Sequence, residues 1–240
     1  MASDIWAGGD AYEAYVGRWS RVVAAEFVRG LGGERWLDVG CGTGALSAAV
    51  SDGWVVGADR SEAFVRRNPR RTVVSDGIAL PFRNGTFDVV ISGLALNFMP
   101  DPVQGVREMA RVADGVVAAY VWDYAEGMQL MRHFWDAVDD PGQDEAARFP
   151  ICHPDALAEA WRAAGLEDVT TGRIEIPTVF ADFDDYWRPF LGGAGAAPGY
   201  LLSLPPEKQT ELRERVRSGL PEGEIRLTAR AWTVRGRKKV

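Results

Sequence analysis

The sequence predicts an α/β fold: a Rossmann-like, doubly wound, mostly parallel seven-stranded sheet with an N-terminal covering helix and a helical lid insertion. Two observations carry this prediction. Short apolar runs alternate with helix-forming stretches from residue 34 to residue 122, which is the spacing of parallel strands joined by helical crossovers. The first run leads into glycines at every second position, Gly40, Gly42 and Gly44, and glycines there let a ligand approach the backbone.

The remaining elements follow in order along the chain. Apolar residues at helical spacing predict a helix before the first strand, and Ser61 and Pro102 are typical of helix starts. The glycine and alanine run at 192–199 predicts a flexible loop. Strands are predicted over residues 35–39, 54–58, 72–75, 86–92, 115–122, 167–176 and 224–234, and the later helices over 45–50, 61–67, 102–112, 154–164, 182–191 and 206–217.

We expect these elements to form a single domain, because 240 residues suit one α/β domain with some added material. Its predicted parts are an N-terminal helical cover (1–33), a cofactor-binding core (34–122), a helical lid or substrate region (123–220) and a C-terminal strand with its tail (221–240).

Composition and charge exclude several classes of protein. The net charge of −7 lacks the basic excess that phosphate neutralisation demands, which disfavours nucleic acid and favours a small-molecule substrate. Cys41 and Cys152 are the two cysteines, too few for a disulfide framework or a metal cluster. With no apolar run of about 18 residues and no signal-peptide pattern, the expectation is a cytoplasmic protein that holds no metal and does not enter a membrane.

Three acids stand where apolar runs end: Asp38, Asp59 and Asp76. In a parallel sheet they would gather along one edge and line one cleft. Asp59 lies about twenty residues after the glycine loop, where an acid accepts hydrogen bonds from ribose hydroxyls in dinucleotide folds. That spacing alone would suggest NAD, whereas the Gly-x-Gly-x-Gly loop and the third acid, Asp76, depart from the dinucleotide pattern.

Five segments together match a known family. They are Leu-Asp-Val-Gly-Cys-Gly-Thr-Gly (37–44), Val-Val-Gly-Ala-Asp-Arg-Ser (55–61), Ser-Asp-Gly-Ile-Ala-Leu-Pro-Phe (75–82), Thr-Phe-Asp-Val-Val-Ile-Ser (86–92) and Phe-Met-Pro-Asp-Pro (98–102). With these segments the chain resembles class I S-adenosylmethionine-dependent methyltransferases, most closely the type-11, UbiE-like group. The resemblance implies a direct, in-line transfer of a methyl group from S-adenosylmethionine to a small organic acceptor.

The resemblance also implies a set of cofactor-binding residues. Asp38 and the loop glycines would hold the methionyl part, and Asp59 the ribose hydroxyls. The other implied contacts are Arg60 beside the adenine, Asp76 at its amino group with Gly77 and Ile78 packed against the ring, and the backbone of Ser92 to Leu94 at the methionyl ammonium. In family members the N-terminal helix closes the site, so Tyr12, Tyr15 and Arg18 would reach the cofactor; aromatic docking of that helix explains the tyrosines equally well.

The sequence indicates the catalytic residues less clearly than the cofactor-binding ones. Where many family members carry His-His after the fourth strand, this chain has Leu96-Asn97, which leaves no base at that position. His153 is then the first candidate base, although it also suits a helix start before Pro154. Asp123 and Tyr124, directly after the fifth strand, are candidates for substrate contact. Two alternatives stay open: an NAD(P)-dependent oxidoreductase, and a catalytically silent S-adenosylmethionine-binding protein.

Overall fold

A seven-stranded sheet organises the chain, and it confirms the predicted fold class. The computed structural model describes residues 17–193 and 195–239. The sheet order is β3-β2-β1-β4-β5-β7-β6, the first five strands pair in parallel, and β7 runs antiparallel to β5. The strands are β1 (Arg35–Val39), β2 (Trp54–Asp59), β3 (Arg71–Val74), β4 (Phe87–Gly93), β5 (Ala113–Trp122), β6 (Leu166–Phe180) and β7 (Ile225–Lys238).

The strand order reverses at β1, which pairs with β2 on one side and with β4 on the other. In open parallel sheets a ligand crevice forms at such a reversal, beyond the carboxyl ends of the strands. A ligand crevice is therefore expected at the loops that follow β1, β2, β3 and β4.

The helices flank this sheet, and several begin at the residues that the sequence indicated. Asp101 caps one helix by accepting a hydrogen bond from the Gln104 amide at 2.9 Å, with Pro102 at its first position. Ser61 precedes another helix but makes no side-chain cap. The helices are α1 (Arg18–Phe27), α2 (Ala45–Ala49), α3 (Glu62–Arg67), α4 (Pro102–Val112), α5 (Gln129–Trp135), α6 (Glu145–Arg148), α7 (Pro154–Ala163), α8 (Phe183–Trp187), α9 (Ala196–Ser203) and α10 (Pro206–Ser218).

One prediction in the later half of the chain is wrong. The expected flexible loop over 192–199 ends early, because α9 begins at Ala196. Ala197 and Leu201, one helical turn apart, are both fully buried, so packing stabilises a helix whose composition suggested none. Pro198 lies in the first turn, where its missing N–H is not needed. The strand predicted over 167–176 is also longer and extends to Phe180.

The described residues divide into two compact units, and β6 and β7 run through both. The first unit contains residues 21–122, 150–174 and 231–239. Its core is the sheet, in which Leu37, Val90 and Ile91 are fully buried. The Trp161 indole of α7 donates a hydrogen bond to the carbonyl of Val117 at 3.0 Å.

The second unit contains residues 17–20, 123–149 and 175–230 apart from residue 194. Aromatic packing holds it together: the rings of Phe134 and Phe190 stack with centroids 4.8 Å apart, and the hydroxyl of Tyr186 donates to the carbonyl of Leu130 at 2.8 Å. Among the helices of the described ranges, none combines the length and apolar character needed to cross a bilayer.

Candidate functional site

The strand register brings the three predicted acids to one edge of the sheet. Asp38 pairs with Gly57, and Asp59 ends β2 opposite Val74, the last residue of β3. Asp76 follows two residues after that strand. The three acids therefore lie at the carboxyl ends of β1, β2 and β3, along one edge of the sheet, as the sequence predicted.

Asp38 is the most unusual of the three, because it is a fully buried carboxyl group. One of its oxygens, Oδ2, accepts a hydrogen bond of 2.6 Å from the Ser47 hydroxyl, whereas Oδ1 is hidden from solvent and has no partner among the described residues. Burial, opposed by the Ser47 hydrogen bond and assisted by the Asp59 charge, raises the pKa of Asp38 from 3.8 to about 7. A buried acceptor of this kind suits a cationic hydrogen-bond donor.

Hydrogen bonds, most of them to the end of β2, engage four amides of the glycine loop. The amides of Gly40 and Cys41 both donate to the Ala58 carbonyl, at 2.7 and 3.1 Å. The Gly42 amide donates to Oδ2 of Asp59 at 2.9 Å, and the Gly44 amide donates to the Cys41 carbonyl at 2.9 Å. These amides are therefore not presented to a phosphate, in contrast to the loops that bind pyrophosphate.

The loop glycines nevertheless differ in what lies beside them. All three have positive φ: 74° at Gly40, 49° at Gly42 and 96° at Gly44. A Cβ at Gly40 would lie 2.2 Å from the Cβ of Ala95, and one at Gly44 would lie 2.7 Å from Oδ1 of Asn68. A Cβ at Gly42 would meet nothing within 4 Å. Gly42 is thus the loop position with open space in front of it.

Asp59 organises the turn after β2. Its Oδ1 accepts the Ser61 amide at 2.8 Å while Oδ2 accepts the Gly42 amide, so one carboxylate joins the glycine loop to the start of α3. The residue is 9% exposed. The next side chain, Arg60, is exposed.

The segment after β3 forms a tight turn that packs against Met99. Oδ1 of the exposed Asp76 accepts the amide of Ile78 at 3.2 Å. Met99 then packs between two glycines: a Cβ at Gly77 would lie 2.7 Å from its Cε, and a Cβ at Gly105 would lie 2.4 Å from its Sδ. Met99 was absent from the predicted site, and only its place in the segment 98–102 pointed to it.

The end of β4 holds a strained residue. Leu94 has a φ of 58°, a left-handed conformation that is uncommon for a residue with a Cβ, and its amide donates to the Tyr120 carbonyl at 2.9 Å. The buried Ser92 hydroxyl donates to the Val39 carbonyl at 2.8 Å. An ammonium group is a hydrogen-bond donor, so backbone carbonyl oxygens of this segment are the groups that could hold one.

Two further N–H groups at the ends of neighbouring strands are buried and unpartnered within the described chain. They are Nδ2 of Asn97, four residues after β4, and Nε1 of Trp122, the last residue of β5. Because β4 and β5 pair up to Gly93 and Tyr120, both groups lie just beyond the paired ends of the two strands. Asn97 is the residue that stands where the second family histidine would be.

The three catalytic candidates have structural partners. His153 is an exposed N-cap whose Nδ1 accepts the Asp155 amide of α7 at 3.4 Å. Asp123 is buried and forms an ion pair of 2.6 Å with Nε of Arg230. Tyr124 is buried against the Phe149 ring, with centroids 5.6 Å apart. Each of the three side chains therefore has a structural contact in the described chain.

The N-terminal candidates fall partly outside the description. Tyr12 and Tyr15 lie outside the described residues. Arg18 belongs to the second unit, where its guanidinium stacks on the rings of Trp19 and Phe180. Two residues that the sequence analysis did not assign to the site, Ser47 and Asn68, contact Asp38 and the glycine loop.

Comparison with known proteins agrees with the resemblance. Residues 37–119 match the family model described as "Methyltransferase domain". The chain is 30% identical over 175 residues to a 2-methyl-6-phytyl-1,4-hydroquinone methyltransferase from Synechocystis, covering 66% of this chain and 55% of that protein. It is 41% identical over 92 residues to a demethylmenaquinone methyltransferase from Shouchella clausii, covering 32% of this chain and 39% of the relative.

Solved structures extend the likeness of fold to almost the whole chain. A SAM-dependent methyltransferase from Thermotoga maritima, described as a possible histamine N-methyltransferase, superposes with a TM-score of 0.61 at 18% identity over 98% of this chain and 99% of that one. The chain spans about half the length, or less, of these two curated relatives.

Proposed function

Residues 37–119 belong to the methyltransferase domain family, and from this premise we propose that the chain transfers a methyl group from S-adenosylmethionine to a small organic acceptor. The single observation that carries the proposal furthest is the buried, half-partnered carboxyl group of Asp38. It lies beside a glycine loop whose amides are already engaged.

These two features suit the proposed cofactor and disfavour a dinucleotide. Oδ1 of Asp38 has no hydrogen-bond partner in the described chain. An ammonium group would supply it with an N–H donor and a positive charge. A pyrophosphate would need free amides, which Gly40, Cys41, Gly42 and Gly44 do not offer, and its charge would repel Asp38 and Asp59. The comparisons likewise lend no support to the oxidoreductase alternative.

The chain's residues would divide the work as follows. Asp38 and carbonyl oxygens after β4 would hold the methionyl ammonium, Asp59 would accept from the ribose hydroxyls, and the turn at 76–78 would bind the adenine. The sulfonium supplies an electrophilic methyl group for in-line displacement, so the protein's task is to align donor and acceptor and to exclude water.

On the acceptor side we assign Asn97 and Trp122. Both present buried N–H donors and neither has a partner in the described chain, so they suit an acceptor that carries a hydroxyl, phenolate or carbonyl oxygen. The names of the two curated relatives, which refer to a hydroquinone and a menaquinone, support testing such compounds first. An acceptor that reacts as an anion or through a lone pair would need no base from His153, Asp123 or Tyr124.

Calorimetry with S-adenosylhomocysteine tests the first half of the proposal. We expect binding in the micromolar range, and no binding at millimolar ligand would refute it. Labelled S-adenosylmethionine with hydroquinones, phenols and amines tests the second half. Methylation of any of these compounds excludes a catalytically silent protein, whereas binding without turnover over the whole panel supports that alternative.

Two variants test the assigned donors. In Asn97→Leu and Trp122→Phe, each loss of an N–H should raise the KM for an oxygen-bearing acceptor about tenfold, while S-adenosylhomocysteine affinity stays unchanged. Trp54→Phe is the matched control, because Trp54 is 46% exposed at the opposite end of β2. Equal KM values for all three variants would contradict the assignment.

A further inference from the structure

The second unit contains a cavity of about 510 Å³, lined by residues of α8, α9 and α10 and of the 3₁₀ helix that follows α8. Volumes of about 300–1,000 Å³ are typical of pockets that bind small organic molecules. None of the residues that line this cavity takes part in the proposed function. The cavity is therefore a candidate for a separate binding site.

Two helical faces form the walls of the cavity. Arg188–Gly192 is a 3₁₀ helix, in which side chains three residues apart lie one above the other, so Arg188 and Leu191 share a face. Gln209 and Arg213 line the cavity from α10, where a separation of four residues places them on the same side of the helix. The spacing along both elements thus directs these side chains into one space.

The base of the cavity is apolar. Trp187 is 4% exposed and Leu201 is fully buried, and the Trp187 ring stacks on that of Phe183 with centroids 5.8 Å apart. Leu191, by contrast, lines the cavity with an exposure of 55%. A bound hydrocarbon would remove this side chain from water, which is favourable. The base and Leu191 therefore suit the apolar part of a ligand.

The charges around the cavity are unequally balanced. Nη2 of Arg213 lies 2.7 Å from Oδ1 of Asp184, and its Nη1 lies 3.0 Å from Oε1 of Glu214. Arg188 is exposed and makes no hydrogen bond or ion pair with any residue of the described ranges. The cavity therefore presents one unpaired positive charge, on a chain whose net charge is −7. That charge favours an anionic group beside Arg188.

The uncharged polar side chains that line the cavity are bonded to nearby backbone. Nε2 of Gln209 donates to the Leu204 carbonyl at 2.9 Å, and the Thr210 hydroxyl donates to the Pro206 carbonyl at 3.0 Å. Arg188 is therefore the strongest hydrogen-bonding group that these contacts leave unused. A ligand rich in hydroxyl groups would find few donors here, whereas a single acidic group is enough to engage the arginine.

We propose that this cavity binds an amphipathic organic anion, with an aliphatic or aromatic body and a single acidic group such as a carboxylate. The body lies on Trp187 and Leu201 and covers Leu191, and the acidic group pairs with Arg188. The ligand is a free molecule, because the cavity has the volume of a small-molecule pocket. Docking of a protein partner needs a much wider surface.

This proposal is independent of the proposed function. It predicts binding in the absence of S-adenosylmethionine, and its test requires no methyl transfer. A failure of this site therefore leaves the proposed function unaffected, and a failure of the proposed function leaves this site unaffected.

Three probes with the same alkyl chain test the preference for an anion: octanoate, octanol and octylammonium. NMR follows their binding through the methyl resonances of Leu191 and Leu201 in ¹³C-methyl-labelled protein, assigned with Leu191→Ile and Leu201→Ile. We expect octanoate to shift both resonances at millimolar concentration. It should bind more tightly than octanol, and octylammonium should bind most weakly, because only the anion is attracted by Arg188.

Two variants with matched controls test the assigned contacts. Arg188→Glu should weaken octanoate binding about tenfold, because attraction becomes repulsion, and should leave octanol binding unchanged. Arg107→Glu is its control, since Arg107 is also exposed and unpaired within the described chain and does not line the cavity. Thr210→Trp places a large ring in the cavity from an exposed position and should weaken octanoate and octanol alike. Glu211→Trp, at the next exposed position of α10, adds the same ring outside the cavity.

Shifts with octanoate that Arg188→Glu weakens and Arg107→Glu does not would support the site. The proposal is wrong if octanoate moves neither resonance at millimolar concentration, or if octylammonium binds as tightly as octanoate. It is also wrong if Arg188→Glu or Thr210→Trp binds octanoate as the wild type does, or if Arg107→Glu weakens octanoate binding equally. Sedimentation with phosphatidylglycerol vesicles, without binding of octanoate, would identify a membrane-facing surface instead and likewise refute the proposal.

Discussion

Replacing Asp38 by Asn should change cofactor binding and protein stability in opposite directions. The pKa of this buried carboxyl is raised from 3.8 to about 7, so the folded protein retains a proton that the unfolded chain releases. Stability therefore falls as the pH rises from about 4 to about 7, by up to about 4 kcal/mol for roughly three pKa units. Asn keeps an acceptor for Ser47 but never ionises, so Asp38→Asn should be the more stable protein at pH 8.

Ligand binding should depend on the same ionisation with the opposite sign. A cationic ammonium group binds the ionised carboxylate, which is about one tenth of the population at pH 6 if the pKa is near 7. We therefore expect S-adenosylhomocysteine to bind about tenfold more weakly at pH 6 than at pH 8. In Asp38→Asn the affinity should be at least about tenfold lower at pH 8 and nearly independent of pH.

Calorimetry from pH 5.5 to pH 8, in buffers of different ionisation enthalpy, measures both the affinity and the protons released on binding. Urea unfolding of the free protein at the same pH values measures the stability difference. Asp52→Asn is the control, because Asp52 is an exposed acid. A wild-type affinity that does not change with pH, with no proton release, would refute the assignment of Asp38 to a cation.

Three further outcomes follow from the structure. Gly40→Ala should lower the free energy of unfolding by about 2–4 kcal/mol, because the new Cβ would clash with Ala95. Gly42→Ala should lower it by only about 1–2 kcal/mol, yet weaken the binding of S-adenosylhomocysteine at least tenfold. Urea unfolding and calorimetry would compare the two variants, and an unchanged affinity in Gly42→Ala would place the ligand elsewhere. Burial raises the pKa of Glu145 to about 7, so Glu145→Gln should reduce the loss of stability that the wild type shows in urea unfolding between pH 5 and pH 7, leaving the part that Asp38 causes; equal pH slopes would contradict this. Asp123→Asn should destabilise the protein by about 2–4 kcal/mol by removing the buried negative charge that pairs with Arg230, with cofactor affinity unchanged within about twofold; a large loss of cofactor affinity would contradict a purely structural role for Asp123.

Local patterns predicted most of the sheet. The strand at 35–39 was predicted at its observed bounds, and the helix from Pro102 ends at Val112 as expected. These elements carry their signals within a few residues, as β-branched runs, caps and turn residues. The helix at Ala196–Ser203 lacks such signals, and packing of Ala197 and Leu201 decides it.

The sequence predicted only those parts of the candidate site whose residues are close in sequence or end a strand. The acids and glycines have fixed places in the strand order, so their common edge followed from the topology. The partner of Asp123, by contrast, lies 107 residues away at Arg230. Neither the cavity beside Arg188 nor the packing of Met99 between Gly77 and Gly105 has a sequence signal, because both depend on side-chain geometry across the fold.

Hydrogen bonds already engage the amides of the glycine loop, which affects what hydrogen–deuterium exchange can show of a bound ligand. Its bonded amides, including those of Gly40 and Gly42, are already satisfied without a ligand. Hydrogen–deuterium exchange at these amides should therefore be slow before a ligand arrives and change little afterwards. The same feature means that binding need not order this loop, so little conformational entropy is lost there when the ligand binds.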